Sequence, residues 1–120
     1  GHQEGDNLLR QLAEIILVNV RKDVDSGYRY GGDEFAVVLP HAKQQQALMV
    51  ADRLIRSFNR VSASSTGLSI GLATLQSSGE TLKENLESLI RRADQAVYRA
   101  KTKGGDQVCI APDKNETTSN

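Results

Sequence analysis

The sequence contains no tryptophan and only three tyrosines and two phenylalanines among 120 residues, so few aromatic side chains are available to any core. It has one cysteine, Cys109. That residue cannot close an internal bridge, which excludes a disulfide scaffold and makes a reducing compartment the simplest setting. Charge of one sign is also missing: 15 basic side chains face 15 acidic ones for a formal net charge of zero. The bulk electrostatic drive for nucleic acid or for an anionic membrane is therefore absent. No long hydrophobic run occurs. The longest, Ile15–Val18, is far too short to span a bilayer, and Gly1–Asp6 follows neither a signal-peptide nor a transit-peptide pattern. What remains is the expectation of one soluble, untargeted domain, long enough to bury roughly two thirds of its unfolded surface without a metal or disulfide staple.

Within that composition the apolar residues are ordered. Leu8, Leu9, Leu12, Ile15, Ile16 and Val20 recur at steps of three and four, which predicts a helix from Asn7 to about Lys22 with Asp6 or Asn7 as its cap. Gly27–Tyr30 and Phe35–Leu39 are two extended runs around Gly31-Gly32-Asp33-Glu34, the pattern of a hairpin, and Pro40 ends the second. Ala47, Leu48, Ala51, Leu54, Ile55 and Phe58 mark a second helix over about Lys43–Arg60, and serines 62, 64 and 65 a loop. Leu68, Ile70 and Leu72 alternate with small residues, a strand with one face open to close packing. Ser77-Ser78-Gly79 is a turn. Leu86, Ile90, Ala93, Val97 and Ala100 predict a third helix that stops at Gly104-Gly105. A last strand covers Gln107–Ile110, and 113–120 is polar and expected to be disordered. The order implies an α+β domain with helices flanking a mainly antiparallel sheet.

The chemistry concentrates at Gly31-Gly32-Asp33-Glu34. Two glycines let a ligand approach bare backbone, and two carboxylates aim hard oxygens at the same place. Phosphate with a hard cation is the matching cargo, because magnesium takes one or two protein carboxylates and completes its shell with water and phosphate oxygens. No Gly-Lys-Ser/Thr follows, which excludes a Walker loop. The competing reading is a solvated turn. Elsewhere, Asp94, Tyr98 and Lys101 share a helix face. His2 and His41 have no second ligand at metal spacing, and Cys109 in an apolar strand is a packing residue.

Arg29-Tyr30-Gly31-Gly32-Asp33-Glu34-Phe35 resembles the signature of the GGDEF family, the diguanylate cyclases. Three more blocks resemble the family in the same order: Gly1-His2 through Gly5-Asp6 with Leu9, Leu68-Ser69-Ile70-Gly71-Leu72-Ala73, and Ala93-Asp94-Gln95-Ala96-Val97-Tyr98-Arg99-Ala100-Lys101. The resemblance implies a ferredoxin-like, nucleotidyl-cyclase palm: an antiparallel sheet with flanking helices, over residues 1–112. It implies condensation of two GTP into cyclic di-GMP with release of pyrophosphate, in bacterial second-messenger signalling, by two facing domains of a homodimer. It implies Mg2+ or Mn2+ held by Asp33 and Glu34, which are also the catalytic residues. Asp6, Gly31, Gly32 and Lys101 would bind substrate: Asp6 at the guanine edge, the glycines through backbone, Lys101 at the terminal phosphates. The setting it implies is cytoplasmic, as an output domain of a larger protein, with no nucleic acid and no direct membrane contact as partners.

Three departures from the family pattern carry expectations of their own. The family's domain begins some tens of residues earlier, with a strand that brings an aspartate, a lysine and an asparagine to the site, so this chain represents the C-terminal two thirds of such a domain, N-terminally truncated. Its first strand would lie between Phe35–Leu39 and Leu68–Leu72, and the 120 residues alone are expected to close the gap, borrow a strand from another chain or associate and aggregate, and to be inactive. After Lys101 the family's Gly-Arg-Asn is replaced by Gly104-Gly105-Asp106, which removes a phosphate cation. The family's product-inhibition motif, Arg-x-x-Asp, aligns with Lys22-Asp23-Val24-Asp25, and lysine cannot reproduce the planar guanidinium contact. The alternative function is a non-catalytic GGDEF module that binds GTP or a partner and regulates a neighbouring domain; a purely structural dimerisation domain leaves the acidic glycine turn without a purpose.

Overall fold

The computed structural model describes residues 2–62, 67–77 and 79–113. The serine loop at 63–66, Ser78 and the tail at 114–120 lie outside the described residues. The chain forms two compact units, Gly1–Gly67 and Leu68–Asn120.

The first unit contains α1 (His2–Asn19), β1 (Ser26–Arg29), β2 (Phe35–Val38) and α2 (Gln44–Val61). α1 begins four residues before Asp6, so neither Asp6 nor Asn7 caps it. Both lie within the helix. The period becomes visible only from Leu8 because no apolar residue precedes it. The helix also ends at Asn19 rather than Lys22; Lys22–Val24 turn, with Asp23 in the left-handed region at φ 63°. β1 and β2 pair antiparallel, Ser26 opposite Val38 and Arg29 opposite Phe35. α2 opens with the Lys43 amide donating to Gln46 Oε1 (2.8 Å) and buries Ala51, Leu54 and Phe58, the stripe its apolar spacing predicts. α2 packs against α1, whose Ile16 is buried.

The second unit is a β-α-β: β3 (Ser69–Leu72), α3 (Leu82–Thr102) and β4 (Gln107–Ile110). The two strands are parallel, Ser69 opposite Gln107 and Leu72 opposite Ile110. The antiparallel expectation therefore describes the hairpin and not this pair, because a helical crossover returns the chain to the same end before the next strand starts. α3 starts a turn earlier than its apolar spacing suggests. Thr81 Oγ1 accepts from the Glu84 amide (3.1 Å) while Glu84 Oε1 accepts from the Thr81 amide (3.3 Å), a capping box worth about 1 kcal/mol. Its end is a reciprocal pair of turns: Gly105 N–H donates to Ala100 O (2.9 Å) and Gly104 N–H to Lys101 O (3.2 Å). Leu72, Ala96, Ala100 and Ala111 form the core.

Gly71 explains why the helix sits so close to the sheet. A Cβ there would fall onto the carbonyl oxygen of Ala93 and within 2.5 Å of the Val97 amide nitrogen. The strand's small face is thus filled by the backbone of α3. The buried guanidinium of Arg92 ties the two strand ends to that helix, donating to Thr74 O (2.8 Å) and Pro112 O (3.0 Å).

Candidate functional site

The apolar run Phe35–Val38 and the glycines before it make a hairpin whose tip is the acidic segment. The tip is closed by Tyr30 N–H and Gly31 N–H, which both donate to Glu34 O (2.8 and 3.2 Å). Gly31, Gly32, Asp33 and Glu34 are all exposed. Glu34 folds back over Gly31: its Oε2 lies 3.7 Å from the point where a Cβ on Gly31 would be, whereas nothing lies within 4 Å of that point on Gly32. The turn therefore presents open backbone at Gly32 flanked by two carboxylates, and among the described residues neither carboxylate meets a hydrogen-bond donor or a cation.

Arg29, which motif reading treats only as the first letter of the signature, braces this tip. Its Nη2 donates to Gly32 O (2.6 Å) and its Nε to Gly31 O (3.4 Å). The available signal was positional: a long donor at the end of a strand, two residues before a pair of glycines whose carbonyls need partners.

The other sequence-derived candidates separate. Asp6 is an exposed residue of α1 in the same unit as the acidic turn, and Lys101 is exposed in the last turn of α3, in the other unit. Along α3, Asp94, Gln95, Tyr98 and Arg99 line an open groove of about 450 Å³, and Lys101 is not part of it. Lys22 is exposed in the turn after α1. Asp25 is held by Arg21 instead: its carboxylate accepts from Arg21 N (2.7 Å), Nε (3.0 Å) and Nη2 (2.7 Å), with its side chain 1% exposed. These hydrogen bonds hold the Asp25 carboxyl below the usual carboxylate range and raise the Arg21 guanidinium in turn. Arg21 Nη2 also reaches Pro40 O (2.7 Å), so the ion pair closes the loop after α1 onto the end of the hairpin. Arg21, Asp25, Met49 and Arg53 line a half-open surface pocket of about 220 Å³, and Arg53 donates to Asn19 O (3.0 Å).

The sequence profile described as "Diguanylate cyclase, GGDEF domain" matches residues 1–107. The chain belongs to this family. It is 35% identical over 114 residues to diguanylate cyclase DosC of Escherichia coli K12, covering 90% of this chain and 24% of that protein. It is 37% identical over 113 residues to diguanylate cyclase VdcA of Vibrio cholerae, covering 90% and 33%. Among solved structures it resembles the active GGEEF domain of a diguanylate cyclase from Vibrio cholerae, with TM-score 0.75, 26% identity and coverage of 95% of this chain and 72% of that one. It also resembles the GGDEF domain of DgcB from Caulobacter crescentus in complex with c-di-GMP, with TM-score 0.74, 25% identity and coverage of 92% and 67%. The chain thus spans a quarter to a third of these two curated relatives, and the fold is the α+β palm of the family.

The family implies a divalent metal. Adjacent exposed carboxylates beside unobstructed backbone are hard donors with room for water and phosphate, and Asp33 and Glu34 fit such an ion. Among the described residues no group of three or more His, Cys, Asp or Glu is placed to hold a metal by itself. Among them too, no helix is long and apolar enough to cross a membrane.

Proposed function

We propose that the protein to which this chain belongs is a diguanylate cyclase, which joins two GTP molecules into cyclic di-GMP and releases pyrophosphate. The observation that carries this reading is the hairpin tip, where the carboxylates of Asp33 and Glu34 flank open backbone at Gly32 and neither meets a hydrogen-bond donor or a cation among the described residues. A structural turn gains nothing from two uncompensated carboxylates at its apex. A magnesium or manganese ion bound there supplies neutralisation of the triphosphate and acidification of the attacking ribose 3′-hydroxyl. Asp33 and Glu34 are its protein ligands. Gly31 and Gly32 let the nucleotide approach the backbone, Asp6 accepts hydrogen bonds from the guanine edge, and Lys101 meets the terminal phosphates as a point charge. A second GGDEF domain, as in a homodimer, brings the other GTP, and each 3′-hydroxyl attacks the α-phosphate of the opposite nucleotide. The reaction is placed in the cytoplasm, where GTP is available.

Product feedback at Lys22 and Asp25 is weak in this reading. Asp25 spends its oxygens on Arg21, and Lys22 offers no guanidinium fork. Titration with cyclic di-GMP should show the same affinity for Lys22→Ala as for the unaltered protein; tight binding lost in that variant would contradict it. The function itself is tested by Asp33→Ala: the variant should keep its melting temperature, since an exposed turn carboxylate adds nothing to the core, and should make no cyclic di-GMP.

A further inference from the structure

The peptide groups of the hairpin tip have a direction, and Arg29 sets it. Gly31 O and Gly32 O both accept from the Arg29 guanidinium, at 3.4 and 2.6 Å. No cis peptide bond occurs among the described residues, and in a trans peptide plane the N–H points opposite to the C=O. Drawing these two carbonyls toward Arg29 therefore turns the next two amides, Gly32 N–H and Asp33 N–H, to the other side. Neither amide meets an acceptor among the described residues, and the space at Gly32 is open. Two successive free amides turned the same way form a small concave anion-binding unit. Without Arg29 the glycine peptides are free to flip, since glycine populates both halves of backbone space with similar ease. A flipped peptide presents a carbonyl oxygen to the phosphate.

We infer that Arg29 is a positioning residue, whose hydrogen bonds to Gly31 O and Gly32 O fix the Gly32 and Asp33 amides to receive an anionic oxygen of the bound triphosphate. This rests on the GTP-binding reading above and adds to it a backbone contact that no side-chain motif specifies. The role is distinct from a direct contact of the guanidinium with phosphate, because a neutral donor that reaches the same carbonyls should sustain it.

The test uses the full-length protein and a non-hydrolysable GTP analogue with Mg2+, read by calorimetry and by the amide NMR signals of Gly32 and Asp33. In the unaltered protein both signals should shift on saturation. Arg29→Ala should bind roughly tenfold more weakly, as expected for loss of one charge-assisted hydrogen bond, with both shifts reduced and the melting temperature unchanged. Arg29→Gln should recover at least half of the lost affinity on the logarithmic scale. Equal affinity of Arg29→Ala and the unaltered protein, or amide signals that do not respond to the analogue, would overturn the inference while leaving GTP binding intact. No recovery in Arg29→Gln would overturn it in favour of direct phosphate contact. Absence of binding by the unaltered protein would overturn both this inference and the reading beneath it.

Discussion

Charge at single residues is handled in two opposite ways in the first unit. Asp33 and Glu34 are left exposed and, among the described residues, uncompensated, while Asp25 accepts hydrogen bonds from Arg21 N, Nε and Nη2, the last of which is also the ion-pair contact at 2.7 Å. The second arrangement makes stability depend on pH. Hydrogen bonding to Arg21 depresses the Asp25 carboxyl in the folded protein relative to about 3.9 in an unfolded chain. A depressed carboxyl binds its proton less readily when folded, so its contribution is complete above the unfolded value and is lost as pH falls through the folded one. Urea unfolding of Asp25→Asn and the unaltered protein should therefore show a stability gap at pH 7 that closes in the acid range below pH 4. A gap that persists at pH 2 would mean that the ion pair is not its source. The Arg21–Asp25 pairing was hidden from motif reading because the family register selects Lys22, one position away, whereas the turn at Asp23 brings the backbone of Arg21 back onto Asp25.

The β3–α3–β4 element depends on glycines for two different reasons. At Gly71 the reason is contact. The site for a Cβ is occupied by backbone atoms of Ala93 and Val97, which cannot rotate away as a side chain would. Gly71→Ala should destabilise the protein by about 1–3 kcal/mol or more, measured by urea denaturation; an unchanged midpoint would show that α3 can stand off from the sheet. At Gly105 the reason is conformation. It follows Gly104 at φ 114° with φ 77°, precedes Asp106 at φ 55°, and its Cβ position lies 3.3 Å from Ser69 Oγ. The family's arginine at this position would therefore be strained in this turn. Gly105→Arg should lose about 1–2 kcal/mol of stability, while the restored cation should tighten binding of a GTP analogue by about 1.5–3 kcal/mol. Equal stabilities would show that the turn reforms, and equal affinities that residue 105 does not face phosphate. Close packing at β3 was legible in its run of small residues, and the helix stop in its paired glycines. The start of α3 was carried by Thr81-Leu82-Lys83-Glu84, a capping box that apolar periodicity passes over.

At the scale of the molecule, the acidic turn, its hairpin and the order of elements could be read from the residues, because each rests on local chemistry: glycine at a tip, alternation in a strand, spacing on a helix. What could not be read is what depends on distant pairing. β3 pairs with β4, parallel and across a helical crossover, and the described strands form two-stranded ladders only. Strand partnership is decided by crossover direction and edge complementarity, which no local pattern encodes. Arg29 and Arg92 escaped for a related reason, since their roles lie in backbone carbonyls that fold toward them, Gly32 and Gly31 for the first, Thr74 and Pro112 for the second. The functional proposal stands mainly on the local part, the carboxylates at the tip. The most direct measurement is therefore to incubate the full-length protein with GTP and Mg2+ and follow both products by mass spectrometry, alongside Asp33→Ala of unchanged melting temperature. The account predicts cyclic di-GMP and pyrophosphate from the unaltered protein and neither from the variant; no cyclic di-GMP from the unaltered protein, or equal amounts from both, would contradict it.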